Sequence, residues 1–179
     1  MQSNRLVLLA LVFLAVGAVD VEAQEREGQQ DAYFRAVAEF FSVSSSEISV
    51  LRDWRLTPEE VPVVLFVAER AGISGEALVT LRRSGQSWSA LGERYGVGAA
   101  ALYVPIPDES PAGRLSGVYE QYRSIPPGQW DGIRLSADDI VTLVNVRLLA
   151  ETLGIPPADV LRRAGAASSF VQLYGELIR

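Results

Sequence analysis

The amino-acid sequence predicts an all-α protein made of two related halves of helical hairpins, packed as a compact bundle or a short solenoid. Three observations predict this class: helix start signals recur, apolar residues follow them at helical spacing, and segments of the chain return. The clearest return is of residues 55–61, which read RLTPEEV, as residues 134–140, which read RLSADDI. Such repeats are typical of folds that stack similar helical units.

Further matches set the boundaries of the two halves. We place the first helical half at residues 31–103 and the second at residues 114–179. Between them, residues 104–113 contain three prolines and no helix signal, which predicts an extended connector. The supporting pairs are Gly72-Ile73 with Gly154-Ile155, and Ser87-Trp88 with Ser169-Phe170.

One of the matching segments has a different sequence offset between the halves from the other matches. Residues 81–85 read LRRSG and residues 161–165 read LRRAG, but the second copy arrives two residues early relative to the flanking matches. Either the second half lacks a pair of residues here, or the match is accidental.

Ser44 with Glu47 fits a capping box, and the two segments that return carry further signals for the start of a helix. Thr57 is a suitable cap, Pro58 fits a position where a missing N–H is harmless, and Glu60 can close a capping box. Ser136 with Asp139 is the weaker copy of this arrangement. We therefore predict that a helix begins at each segment.

The stretches behind these caps are apolar on nearly every side. Residues 61–68 and 140–150 are expected to be buried helices and the core partners of the two halves. Pro62 lies past the first turn counted from Pro58, so we expect a kink or a restart of the helix there.

The N-terminus has the organisation of a secretion signal. Arg5 is followed by the apolar residues 6–19, and a cleavage site falls between Ala23 and Gln24. This predicts a signal peptide over residues 1–23, a disordered lead over residues 24–30, and a periplasmic or extracellular protein. The apolar run is shorter than the roughly 20 residues that cross a bilayer, so no stable membrane span is expected after processing. An uncleaved anchor is the alternative.

Composition excludes several kinds of chemistry. The chain has no cysteine, histidine or lysine, and all 16 basic residues are arginine. Catalytic triads, thiol nucleophiles, lysine Schiff bases and histidine or thiolate metal sites are therefore absent, and we expect no cofactor or metal. The net charge of −6, without a basic patch, argues against nucleic acid as a partner.

Five residues are candidates for a binding site. Arg82 and Arg83 near a helix end could complement the helix dipole or clamp an anion. Trp88 is a core residue, or an interface anchor if it lies on the surface. Asn145 and Arg147 interrupt an apolar run, which indicates either a structural network between loops or the polar floor of a pocket.

Two further patterns allow alternative functions. Glu59-Glu60 and Asp138-Asp139 are explained as caps, but paired carboxylates also perform glycoside hydrolysis. Residues 87–102 resemble a DNA-reading helix-turn-helix, although residues 98–102 offer no Arg, Asn or Gln to contact a base.

From about residue 40 onward, the chain resembles a group of exported bacterial helical-repeat proteins of unknown function. Residues 156–165, which look shortened by two, depart from that pattern. The resemblance implies an envelope location and carries no assigned activity. The motifs that carry it are Leu81-Arg82, Gly85, Ser87-Trp88, Tyr95-Gly96-Val97, Tyr103-Val104-Pro105, Ile133-Arg134-Leu135-Ser136, Asn145 and Arg147.

These observations predict an exported, noncatalytic interaction or scaffold protein of the bacterial cell envelope. Its partner would be a protein or another envelope component, and no nucleic acid. The first alternative is a carboxylate-dependent cell-wall hydrolase. The second is a helix-turn-helix nucleic-acid-binding protein, which requires that the N-terminus is not a signal.

Overall fold

The computed structural model describes residues 23–179, and every regular element in that range is a helix. The predicted all-α class is therefore confirmed, and the helices pack in one compact arrangement. Helix α1 covers residues 23–41 of the described chain. The following α-helices are α2 (Ser45–Asp53), α3 (Glu60–Ala71), α4 (Gly75–Arg83), α5 (Trp88–Tyr95), α6 (Ala99–Leu102), α7 (Ser116–Ser124), α8 (Ala137–Leu153), α9 (Pro157–Ala164) and α10 (Phe170–Leu177). Short 3-10 helices cover Gly113–Leu115 and Pro127–Gly132.

The predicted signal segment lies outside the described residues, apart from its last position. Ala23 and Gln24, the predicted cleavage pair, are exposed residues at the start of the described part of α1. Among residues 23–179, no helix combines the length and the apolar character that crossing a bilayer requires.

Helix α1 is longer than the sequence predicts. Residues 24–30 were expected to form a disordered lead, but the structure has them in α1. One tertiary contact holds this extension: the side chain of Gln29 lies so close to Gly175 of α10 that a Cβ atom there would meet it at 2.8 Å. Polar composition alone does not reveal such a contact, because the glycine that makes room for it is far away in sequence.

Helices α3 and α8 form the centre of the molecule, as predicted. Residues 61–68 are all buried, and so are most of residues 140–150. The two helices make the most extensive contact between any pair of helices in the described chain. Because neighbouring helices surround them, both can be apolar on nearly every side.

The kink or restart predicted at Pro62 is wrong, because α3 begins at Glu60, with Glu59 and not Thr57 at its N-cap, and runs without a break to Ala71. A turn at residues 58–59 precedes α3, so Pro62 lies in the first helical turn, where its missing N–H leaves no broken bond. The predicted capping box is half formed here: the Glu60 carboxylate accepts the Thr57 N–H at 3.0 Å, while the Glu60 N–H binds the Thr57 carbonyl. At Ser136 both halves of the box are present.

The two predicted halves share a single core. Buried apolar residues from both halves form one continuous cluster. The predicted connector, residues 104–113, is non-helical until Gly113 and contributes Val104, Ile106 and Ala112 to that cluster. The connector is therefore part of the shared core and does not separate two independent domains.

The central helices of the two halves end in the same way. Gly72 after α3 and Gly154 after α8 have φ of 64° and 63°, the left-handed conformation that favours glycine. The next residues, Ile73 and Ile155, each donate their N–H back into the last turn, to Ala68 and Ala150 respectively. These shared ends agree with the predicted duplication, which itself stays a prediction.

Burial explains why residues 81–85 and 161–165 match at a different offset from the other segments. The buried pair of α4 is Leu78-Val79, and the buried pair of α9 is Val160-Leu161. This match has the same offset as the flanking glycines, so Arg162-Arg163 do not take the positions of Arg82-Arg83. The similarity of LRRSG to LRRAG is therefore not an equivalence of positions in the fold.

A buried polar network joins three helices around Asn145, whose side chain is fully buried. Its amide NH₂ donates to the carbonyl of Glu59, at the start of α3, at 3.0 Å and to that of Val141 at 2.8 Å. Its oxygen accepts the hydroxyl of Tyr33 in α1. Burial, with the nearby Glu59 charge, raises the pKa of Tyr33 well above its usual value, so this hydroxyl stays a donor.

Replacing Asn145 should destabilise the protein strongly. Asn145→Ala removes a buried donor to the Glu59 carbonyl and leaves the Tyr33 hydroxyl without its acceptor, which we expect to lower the free energy of unfolding by roughly 2–4 kcal/mol. Urea unfolding followed by circular dichroism measures this change.

The control is Gln121→Ala, which removes an exposed amide that binds only a carbonyl of its own helix. We expect this variant to change stability by less than about 0.5 kcal/mol. An unchanged unfolding midpoint for Asn145→Ala would show that the network does not stabilise the fold.

Candidate functional site

A cleft of about 470 Å³ opens where several helix starts meet. Its walls come from the starts of α3, α5, α8 and α10, from the ends of α4 and α9, from the loops that precede α3 and α10, and from the first 3-10 helix. We call it the central cleft. It contains two of the predicted binding residues together with other charged groups. Its charged residues are Glu59, Glu60, Arg82, Arg114 and Asp138.

Glu60 organises the inner part of the central cleft. Its Oε1 accepts two hydrogen bonds from the guanidinium of Arg82, at 3.1 and 2.9 Å, and one from the indole N–H of Trp88 at 2.9 Å. Its Oε2 accepts the backbone N–H and the hydroxyl of Thr57. One carboxylate therefore ties the start of α3 to the end of α4 and the start of α5.

The pKa of Glu60 is lowered by these contacts. Burial alone would raise the pKa, but the hydrogen bonds from Thr57, Trp88 and Arg82, together with the charge of Arg82, outweigh that effect. The carboxyl group is accordingly ionised at neutral pH.

Trp88 is a core residue and not a surface anchor. Its side chain is 1% exposed, and only its indole N–H edge contacts the polar wall of the cleft. The alternative role as an interface anchor required a surface position, which Trp88 does not have. Arg82 also donates to the carbonyl of Gln86 at 3.2 Å, so its guanidinium closes the end of α4 as well as pairing with Glu60.

Glu59 connects the cleft to the second half of the chain. Its Oε1 accepts the backbone N–H of Phe170, the first residue of α10, at 3.2 Å. Its carbonyl accepts the buried amide of Asn145. Sequence analysis explained Glu59 as part of a cap for α3; in the structure its carboxylate caps a different helix, 111 residues further along the chain.

The other predicted binding residues lie outside the central cleft. Arg83 is exposed, with its guanidinium 5.2 Å from the ring of Trp54. Arg147 donates to the carbonyls of Ala101 and Tyr103, at 3.2 and 2.7 Å, and so closes the end of α6. Asn145 lies below the cleft in the buried network. These contacts are those of a structural network between loops.

Two charged residues lie at the rim of the cleft: Arg114, which sequence analysis missed, and Asp138, which it considered as a cap or a paired carboxylate. Arg114 is exposed and donates to the carbonyl of Ala164 at 3.3 Å, which leaves the remaining guanidinium donors available. Asp138 is exposed, and its carboxylate has no hydrogen-bond or ion-pair partner among the described residues. Arg114 could have been found only from the fold, because it lies in the segment after the connector and carries no motif.

The cleft is suited to binding more than to proton transfer. Its inner carboxylates already accept hydrogen bonds, and its rim offers one cation and one anion. Across residues 23–179, no three acidic side chains are grouped so that they could hold a metal ion.

The second helix of the segment that resembles a helix-turn-helix packs against the core, and its one exposed side chain is that of Ala100. This helix, α6, has four residues, and Ala99 and Leu102 are each 1% exposed. The carbonyls of Ala99 and Ala101 accept hydrogen bonds from Tyr122 and Arg147. A helix with these contacts does not present a side-chain face of the kind that enters a major groove.

Comparison of the chain with protein-family models, with curated proteins and with solved structures finds no match. The site must therefore be interpreted from its own geometry.

Glu60 should make stability depend on acid. Because its folded-state pKa lies below the ordinary value of 4.5, its contribution is complete above that pH and is lost as pH falls through the lower folded-state value. We expect Glu60→Gln to be less stable than the wild type at pH 7, and the difference to shrink at pH 3. Urea unfolding at the two pH values measures both quantities.

Glu120→Gln is the matched control, because Glu120 is exposed on α7 and lies outside the cleft. It should change the pH dependence little. A constant difference between wild type and Glu60→Gln from pH 7 to pH 3 would mean that the ionised carboxylate does not stabilise the fold.

Proposed function

We propose that this chain is an exported, noncatalytic interaction protein of the bacterial cell envelope, and that it binds a protein or another envelope component through the central cleft. The observation that carries the proposal is the division of charges in the cleft. The inner groups, Glu60 and Arg82, are committed to each other and to the fold. The outer groups, Arg114 and Asp138, are exposed and can contact a ligand.

The inner carboxylates do not support the alternative of a cell-wall hydrolase. A general acid in glycoside hydrolysis needs a raised pKa, whereas that of Glu60 is lowered. The Glu59 carboxylate holds the start of α10. Moving either group to serve a substrate would release a helix start or leave a half-buried arginine without its partner.

The rim of the cleft offers a geometry for polar recognition. The guanidinium of Arg114 can donate to a carboxylate or carbonyl of a ligand, and Asp138 can accept from an amide or hydroxyl group. Ala137, Val141 and Phe170 also line the cleft and give it an apolar part. A pocket with a mostly fixed floor and a few polar groups at its mouth is typical of a binding site.

Export is supported by the predicted signal segment and by the resemblance of the chain to exported bacterial proteins. Fractionation of source cells with intact-mass analysis tests it. We expect a form that begins at Gln24 in the periplasm or the medium. An uncleaved cytoplasmic form would overturn the proposed location and favour the nucleic-acid alternative.

Cross-linking in intact cells should identify the cleft as the binding surface. With a photoreactive phenylalanine in place of Asp138, we expect a discrete adduct of higher mass after illumination. Arg114→Glu in the same chain should reduce the adduct several-fold, because it reverses the charge at the rim. A photoreactive residue at Glu120, on the surface of α7, is the control.

An adduct that forms equally from position 120, or that is unaffected by Arg114→Glu, would show that the cleft is not the binding surface.

The hydrolase alternative gives a separate prediction. We expect purified wild-type protein to release no more soluble sugar from insoluble cell walls of the source cells than a Glu59→Gln, Asp138→Asn double variant does. Release by the wild type that disappears in a correctly folded double variant would establish the hydrolase and contradict a noncatalytic role.

A further inference from the structure

A second concave surface lies away from the central cleft. It is a groove of about 550 Å³ formed by the end of α1, by α2, by the second half of α3 and by the start of α4. We call it the acidic groove. Its apolar side chains include Phe41, Val50 and Ile73, and its charged residues are Glu47, Glu69 and Glu76.

The apolar part of the acidic groove is open to solvent. Val50 is 39% exposed, and within residues 23–179 Ile178 is the one other large apolar residue classed as exposed. Phe41 and Ile73 are half-buried. An open apolar groove of this volume can receive several side chains of a partner, as in complexes where a helix lies in a hydrophobic groove.

The charge of the acidic groove is of one sign. All three charged residues that line it are glutamates. Glu69 is 3.8 Å from Arg70, which points away from the lining, and the carboxylates of Glu47 and Glu76 have no ion-pair or hydrogen-bond partner among the described residues. Glu47 and Glu76 lie in the first turns of α2 and α4, where the helix dipole favours an acid. The dipole does not explain Glu69, which is near the end of α3.

We propose that the acidic groove binds an amphipathic helix of a partner protein that carries arginine or lysine beside a stripe of leucine-like residues. The apolar stripe would cover Val50, Phe41 and Ile73, and the basic residues would pair with the three glutamates. Charge complementarity selects this occupant over an acidic or neutral helix. This site is separate from the central cleft and goes beyond the function proposed for it.

The test uses a labelled synthetic peptide and fluorescence anisotropy. The probe is a helical peptide of leucine, alanine and lysine, about 18 residues or five turns long, with leucine on one face. We expect it to bind the purified protein at about 0.15 M ionic strength at least tenfold more tightly than a scrambled peptide of the same composition does. A peptide with glutamate in place of lysine should not bind measurably.

Substitutions separate docking from simple charge attraction. Glu47→Lys with Glu76→Lys should weaken binding at least tenfold, whereas Glu120→Lys with Glu151→Lys, an equal charge change at exposed positions outside the groove, should weaken it less than about threefold. Val50→Glu adds a negative charge inside the groove. Charge attraction alone would strengthen binding in this variant, but docking of an apolar stripe predicts weaker binding.

Three results would overturn the proposal: equal binding of the scrambled peptide, equal loss in the two charge-reversal pairs, or tighter binding by Val50→Glu. Self-association of the wild type that Val50→Glu abolishes would also overturn it, by assigning the groove to a second copy of the chain. The central-cleft variant Arg114→Glu should leave peptide affinity unchanged, so failure of this proposal is distinguishable from failure of the proposed function.

Discussion

The start of α3 is the point on which the rest of the structure depends. There, two adjacent glutamates hold four other helices: Glu60 receives Arg82 from α4 and Trp88 from α5, while Glu59 receives Asn145 from α8 and the first N–H of α10. Because each donor is at least half-buried, removing its acceptor leaves a polar group without a partner, which is expensive in a low-dielectric interior. At α10 the donor is a free N–H of the helix start, a group that needs an acceptor from outside its own helix.

The hydrogen bonds of Glu59 and Glu60 also limit the chemistry that the central cleft can perform. A carboxylate that holds several helices in place, and whose pKa is lowered by its donors, is poorly suited to exchange protons during a reaction. The inner cleft therefore acts as a rigid floor. Ligand binding must then come from side chains whose polar atoms are not occupied by contacts within the fold. Arg114 and Asp138 meet this condition at the rim, and the glutamates of the acidic groove meet it on the surface formed by α2, α3 and α4.

What could be predicted from the sequence was local. The caps at Thr57 and Ser136 and the apolar runs behind them identified α3 and α8 as central helices, because these signals depend on neighbouring residues and helical spacing. The partners of the glutamates could not be predicted, since Arg82 lies 22 residues from Glu60, and Phe170 lies 111 residues from Glu59. For the same reason the contact of Gln29 with Gly175, which packs the start of α1 against α10, could not be predicted. Trp88 and Asn145 were recognised as unusual, but only their burial distinguishes a structural role from a binding one.

The distribution of arginine explains why the acidic groove keeps its charge. A planar guanidinium can stack on an aromatic ring and donate to carbonyls at the same time, which a lysine ammonium does less well. In this chain, which has no lysine, Arg82 and Arg147 each lie near an aromatic ring and also close a helix end. Arg70 lies over Phe66, with its guanidinium carbon 3.5 Å from the ring centre. Arginines used in this way hold the fold together, and they leave Glu47 and Glu76 without a basic neighbour in the groove. Three glutamates therefore lie beside an open apolar surface, where a basic partner can contact both features together.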